Sequence, residues 1–120
     1  MRVAVLGASR KPERYANMAI RLLMEHGHEV LPVTPAHRRV EGLPAHATLA
    51  DLEPGSVDTV TVYMNPERST LQKEVLLALH PRRVIFNPGA ENKPLQRSLN
   101  EAGIDVEEAC TLVLLRTGAF

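Results

Sequence analysis

Five short apolar runs punctuate the chain: Val3 to Leu6, Glu29 to Val33, Asp58 to Tyr63, Arg83 to Phe86 and Ile104 to Val106. Each is short and β-branched in part, and the first four run into Gly, Pro or Asn, as buried strands do. Between them the period changes. Tyr15, Met18, Ala19, Leu22, Leu23 and His26 follow helical spacing, and Gly27 stops that helix. Pro66 suits the first turn of a second helix, whose apolar face is Leu71, Val75, Leu76 and Leu79 and which Pro81 closes. A third helix is predicted from Pro94 to Ala102, stopped by Gly103, and a last one from Glu108 to about Arg116. Residues 36–56 are polar and broken by Pro and Gly, with a short helical turn at Thr48 to Leu52 that Thr48 can cap.

Strands therefore alternate with helices, and the strands are continuous apolar runs rather than alternations. That pairing indicates an α/β domain over residues 1–120, with a parallel sheet covered on both faces. A Rossmann-like, doubly wound sheet of five strands in the order 3-2-1-4-5 is the expected architecture, with the flavodoxin-like order 2-1-3-4-5 as the alternative. Ligands of such sheets bind beyond the carboxyl ends of the strands.

Composition narrows the function classes. The chain has 120 residues, is 44% hydrophobic and only 3% aromatic, so Leu, Val and Ala fill the core. Lys and Arg together number 14, as do Asp and Glu. That balance argues against nucleic acid as a partner. One cysteine, Cys110, rules out an internal disulfide and fits a reducing cytoplasm. The first apolar run is too short for a secretory signal, and no apolar stretch has the length of a membrane span.

The carboxyl ends of the predicted strands share a chemistry. They run into Gly7-Ala8-Ser9, Thr34-Pro35, Asn65-Pro66 and Asn87-Pro88-Gly89. In the first of these turns Gly7 permits a tight bend, the next helix offers unpaired N–H groups, Ser9 offers a hydroxyl, and Arg10, Lys11 and Arg14 offer charge. That is a phosphate-binding composition, but G-x-G-x-x-G is absent. The end of strand two also lacks the carboxylate that holds an NAD ribose, and has Arg38 and Arg39 instead. A ribose carrying a phosphate monoester suits it better, which leaves NADP and coenzyme A.

Catalytic arrangements are thin. Cys110 sits among small and apolar residues with Glu107 and Glu108 nearby, as a packed cysteine does. His26, His28, His37, His46 and His80 show no zinc-site spacing, so no metal is expected. Glu91 and Asn92 follow Gly89 and can reach the crevice, although Asn92 is equally placed to cap the third helix.

Taken together, "VAVLGASRKPERYANMAIRLLMEHGHEVLPVTP", "VEGLPAHATLADL", "VDTVTVYMNPER", "VIFNPGAEN" and "AGIDVEEACTLVLLRTGAF" resemble the small stand-alone CoA-binding domain proteins. Those are similar to the CoA-binding domain of the succinyl-CoA synthetase alpha subunit. The resemblance spans essentially the whole chain and implies a Rossmann-like fold that binds coenzyme A or an acyl-CoA. Carried over by position, Gly7, Ala8 and Ser9 form the phosphate turn with Arg10, Lys11 and Arg14 beside it. Thr34 and Pro35 border the adenosine, with Thr34 standing where many relatives have Asn. Asn65, Pro66, Pro88 and Gly89 line the neighbouring strand ends. The expected function is cofactor binding without catalysis. The alternatives are a minimal acyl-CoA or NADP-dependent enzyme using Glu91, His37 or Cys110, and an interaction module. For the latter, "LVLLRTGAF" suits docking against a partner or a second copy.

Overall fold

The computed structural model describes residues 1–120. Five strands form one parallel sheet: β1 (Arg2–Leu6), β2 (Glu29–Val33), β5 (Thr59–Val62), β6 (Arg83–Phe86) and β7 (Asp105–Glu108). Two residue pairs, β3 (Arg39–Val40) and β4 (Leu43–Pro44), make a small antiparallel hairpin. The helices are α1 (Tyr15–Glu25), α2 (Pro66–Thr70), α3 (Lys73–Leu79), α4 (Lys93–Glu101) and α5 (Thr111–Thr117). A 3-10 turn at Leu49–Asp51 is capped by Thr48, whose hydroxyl accepts from the Ala50 amide.

The sheet order is β2-β1-β5-β6-β7. Counting only its five strands, that is 2-1-3-4-5, not the expected 3-2-1-4-5. The fold class and strand number stand, but the third sheet strand lies beside the first, not beyond the second. Pro32 gives the physical reason. A proline lacks the N–H that an interior strand needs for its neighbours, so its strand belongs at an edge. Pro32 faces Val5 of β1 by register, and its carbonyl takes the His46 amide on the outer side. The interior place goes to β5, TVTV, whose four residues are all buried.

Two apolar cores sandwich the sheet. On one face Ala4, Leu6, Val60, Val62, Val84 and Phe86 pack against Leu76, Leu79, Leu95 and Leu99 of α3 and α4. On the other, Val3 and Val5 pack against Ala16, Ile20 and Leu23 of α1, Leu115 of α5 and Val40 of the hairpin. Much of the apolar C-terminal segment is therefore occupied within the molecule. Leu112 and Leu115 are buried, while Val113 remains 52% exposed. No helix is long and apolar enough to cross a membrane.

Two helices differ from expectation. The helix expected after Pro66 is broken at Leu71–Gln72, and Leu71 is 81% exposed instead of part of the core. The last helix begins at Thr111 rather than Glu108, because Asp105–Glu108 pair with β6 as the edge strand.

At the amino-terminal edge of the sheet, Phe120 lies over the buried Arg83 guanidinium at 4.5 Å, and its ring is 5.2 Å from that of His28. Burial, then the neighbouring amino terminus, then His26 and Arg83, hold His28 below its ordinary 6.5, against an opposing pull from Asp58. The fold thus favours neutral imidazole. Its contribution is present above 6.5 and is lost as pH falls from there through the folded value. The urea midpoint is expected to fall between about pH 7.5 and about pH 5.5, and to fall less in His28→Gln. An equal fall in both proteins would remove His28 from the effect.

Candidate functional site

The chain reverses its direction of travel across the sheet at β1. It first moves outward to β2, then crosses back to β5. At such a switch point the loops above neighbouring strands diverge and leave a crevice. Here the crevice is an open cleft in two adjoining halves. The larger, about 500 Å³, lies between the turn after β1 and the turns after β5 and β6. The smaller, about 360 Å³, lies between that same turn and the end of β2. Gly7, Met64 and Arg68 line both.

Gly7 makes the turn possible. Its φ is +89°, and a Cβ added there would lie 2.4 Å from the Tyr63 carbonyl oxygen. The expectation that glycine admits a ligand is thus refined: the close approach is to β5's own backbone. The amides of Gly7 and Ala8 both donate to the Val33 carbonyl at 3.2 Å, which ties the turn to β2. They are not free for a ligand. The free donors come next. The amides of Ser9 and Arg10, and those of Tyr15, Ala16 and Asn17 in the first turn of α1, donate to no protein acceptor. Arg14 at the N-cap gives no side-chain cap either. Such orphan donors at a helix start carry partial positive charge.

Asn17 holds this loop, and sequence reasoning missed it. It is fully buried on α1. Its amide nitrogen donates to the Ser9 carbonyl at 2.9 Å and to Glu41 Oε2 at 3.1 Å, while its oxygen accepts from Arg21 Nε at 2.8 Å. Arg21 Nη2 also donates to the Pro12 carbonyl at 2.8 Å. The Ser9 hydroxyl accepts from the Lys11 amide at 3.1 Å, which leaves its proton free to donate. An Asn in a helical apolar stripe was the available signal, since a buried amide must find partners.

The remaining strand ends complete the cleft. Asn65 caps α2, accepting from the Arg68 amide at 2.9 Å. Asn87 is 2% exposed and lines the larger half. Its amide nitrogen donates to Thr61 Oγ1 at 2.7 Å and to the Val62 carbonyl at 3.0 Å, and its oxygen accepts from the Thr111 amide at 2.9 Å. Tyr63 lines the same half, its hydroxyl enclosed beside Thr61 and Thr111 without a well-formed hydrogen bond. Burial pushes that phenol up to about 12, so it stays protonated.

Of the residues expected at the site, Gly7, Ser9, Lys11, Arg14, Asn65, Pro88 and Gly89 line the larger half. Ala8, Thr34 and Pro35 line the smaller one. Arg10, Arg38 and Pro66 line neither. Arg38 is exposed, and its carbonyl accepts from Ala45 at the base of the hairpin. The Gly89 amide is occupied by Glu91 Oε1 at 2.9 Å, and Asn92 caps α4 through Leu95. Cys110 sits half-buried at the N-cap of α5 and His37 is exposed; neither lines the cleft. Sequence reasoning missed Arg68, Tyr15, Tyr63 and Met64, which come into the cleft through the path of the chain after β5 and at the start of α1.

The electrostatics of the cleft are one-sided. Its lining holds Lys11, Arg14 and Arg68 and no Asp or Glu. None of the three cations enters an ion pair within the protein. In a chain with equal numbers of acids and bases, that segregation favours an anionic ligand.

The sequence matches the CoA binding domain over residues 1–116. The chain belongs to the CoA binding domain family. Similar proteins and structures are known. A crystal structure of an uncharacterized protein, 40% identical, superposes with a TM-score of 0.90 over 99% of this chain and 97% of its own. An uncharacterized Bacillus subtilis protein, YneT, is 28% identical over 102 residues, 85% of this chain and 75% of its own. The fold also recurs within a larger protein, the dinucleotide-forming acetyl-coenzyme A synthetase 1 of Ca. Korarchaeum cryptofilum, with a TM-score of 0.76 at 20% identity. That match covers 90% of this chain and 25% of the synthetase.

Proposed function

We propose that this CoA binding domain protein holds coenzyme A or an acyl-CoA in the cleft above β1, β5 and β6, and binds it without chemical conversion. The observation that carries the reading is the uncapped start of α1 facing a lining with three unpaired cations and no carboxylate. A ligand with a diphosphate supplies the charge this arrangement lacks. The smaller half, bordered by Thr34, Pro35 and Ala36, takes the adenosine end. The lining offers no His, Cys, Asp or Glu to act as nucleophile or base, which supports binding over catalysis. The lone free thiol, Cys110, fits the reducing cytoplasm in which we place the protein.

Thermal shift with CoA, acetyl-CoA, NADP, NAD and ADP tests the ligand. A ligand at a hundredfold excess over its Kd stabilises the native state by about 2.7 kcal/mol. A shift with CoA and acetyl-CoA is expected; a shift with NADP alone would overturn the assignment. The double variant Ser9→Ala/Arg14→Ala is expected to weaken CoA binding by about 10-fold or more, since it removes a hydroxyl donor and a charged one. Its melting temperature should stay within about 3 °C of the parent, because Ser9 gives the fold only one local hydrogen bond, to the Lys11 amide in the exposed loop, and the exposed Arg14 gives none. Unchanged affinity in calorimetry would move the ligand elsewhere.

A further inference from the structure

We infer that Arg68, on the short helix α2, is the cation that binds the ligand's diphosphate bridge where the two halves of the cleft meet. The inference rests on the CoA reading and adds to it a residue outside the β1 turn. Arg68 is the one charged side chain that lines both halves. It has no ion-pair partner, and its side chain makes no hydrogen bond to protein.

The fold goes to some length to present it. In one continuous helix from Pro66 to Leu79, Arg68 and Leu71 would lie three apart on the stripe that carries Val75 and Leu79 into the core. The helix instead breaks at Leu71–Gln72, so that Arg68 lies on a separate short segment. Ser69, seven residues before Leu76 on the inward face, is fully buried, while Leu71 is 81% exposed. Asn92 then clamps that segment. Its amide nitrogen shares its two N–H groups among three acceptors, the Pro66 carbonyl at 3.2 Å, Ser69 Oγ at 2.9 Å and Thr70 Oγ1 at 3.0 Å. With Asn65 capping the other side, the backbone carrying Arg68 is fixed from both directions. A pinned turn bearing a free guanidinium, across the cleft from Ser9 and Arg14, suits bidentate capture of a group with two adjacent phosphates.

Calorimetry with CoA and dephospho-CoA, on the parent protein and on Arg68→Gln, tests this. The second ligand keeps the diphosphate and lacks the ribose monoester. Arg68→Gln is expected to weaken both ligands alike, by about 10-fold to 100-fold, which leaves their affinity ratio unchanged. Arg68→Lys should recover only part of the loss, because an ammonium acts as a point charge. Arg97→Gln, the same charge change on the exposed side of α4 and outside the cleft, should stay within about threefold. Loss confined to CoA would overturn the assignment and give Arg68 the monoester. Equal affinity of Arg68→Gln and parent for both ligands would overturn it too. Failure of the parent to bind either ligand would instead sink the CoA reading itself. Arg68 is exposed, so circular dichroism melts of the variant should match the parent and keep the comparison valid.

Discussion

Gly7→Ala lowers the stability of the fold by about 4 kcal/mol, the sum of a strained backbone at about 1–3 kcal/mol and an overpacked contact of similar size. The position has φ +89°, where an L side chain strains the backbone whatever the space around it. The added Cβ then meets the Tyr63 carbonyl oxygen at 2.4 Å. That oxygen cannot simply retreat. The Tyr63 amide donates to the Leu6 carbonyl at 2.9 Å, so relief of the clash pulls β5 away from β1 at the floor of the cleft. In a chain of 120 residues, 4 kcal/mol corresponds to a fall in Tm of roughly 15 °C. Gly42→Ala is the control. Its φ is +76° but nothing lies within 4 Å of the new Cβ. It carries the strain alone and is expected to cost about 1–2 kcal/mol. Equal melting temperatures for the two variants would show that the sheet absorbs the clash, and that the turn tolerates more than its geometry suggests.

Asn87→Leu is the second large effect, at about 3 kcal/mol from buried polar groups left without partners. The side chain is nearly isosteric, so little volume changes. What changes is satisfaction: the Thr111 amide loses its acceptor, and the Val62 carbonyl and Thr61 hydroxyl lose a donor. The Thr61 and Thr111 hydroxyls, 2.7 Å apart, retain only each other. The network also fixes the orientation of the amide, because a backbone N–H can meet only its oxygen and a carbonyl only its nitrogen. Asn87→Asp therefore rescues the Thr111 contact but turns a second oxygen toward the Val62 carbonyl. It should be at least as unstable as the leucine variant at neutral pH and regain stability on acidification, as the buried carboxyl takes a proton. Denaturant melts across pH check this. A stable Asn87→Leu would mean that water satisfies these groups. Because Asn87 joins β5 and β6 to the start of α5 behind the cleft, the leucine variant should also exchange the Thr111 amide proton faster.

What the sequence by itself determined was the local and the repetitive. Apolar runs leading into Gly, Pro or Asn placed the first four sheet strands, since a strand covered on both faces must be apolar and must leave the sheet through a turn; the fifth, DVEE, is a part-exposed edge strand that extends two residues beyond the expected Ile104–Val106. The helix starting at Tyr15 and ending before Gly27 was legible for the same reason, as were the caps at Thr48 and Asn92. The first turn offered a phosphate-binding composition through residue types alone, and the whole-chain resemblance named the family.

Tertiary structure decided what depends on neighbours. Strand order was decided by which strand could tolerate a proline, a signal present in Pro32 but readable only once strand position was in question. The helix after Pro66 is broken at Leu71–Gln72, and Asn92, 26 residues from Pro66, holds its first segment through the Pro66 carbonyl. Helical periodicity contains nothing about such a partner. The division of the cations was settled in the same way. Arg10 and Arg38 belong to basic stretches yet are exposed and line neither half of the cleft, while Arg68, in no such stretch, lines both. A side chain's charge is fixed by its type, but whether that charge meets a ligand depends on the direction its backbone gives it, and long-range packing sets that direction.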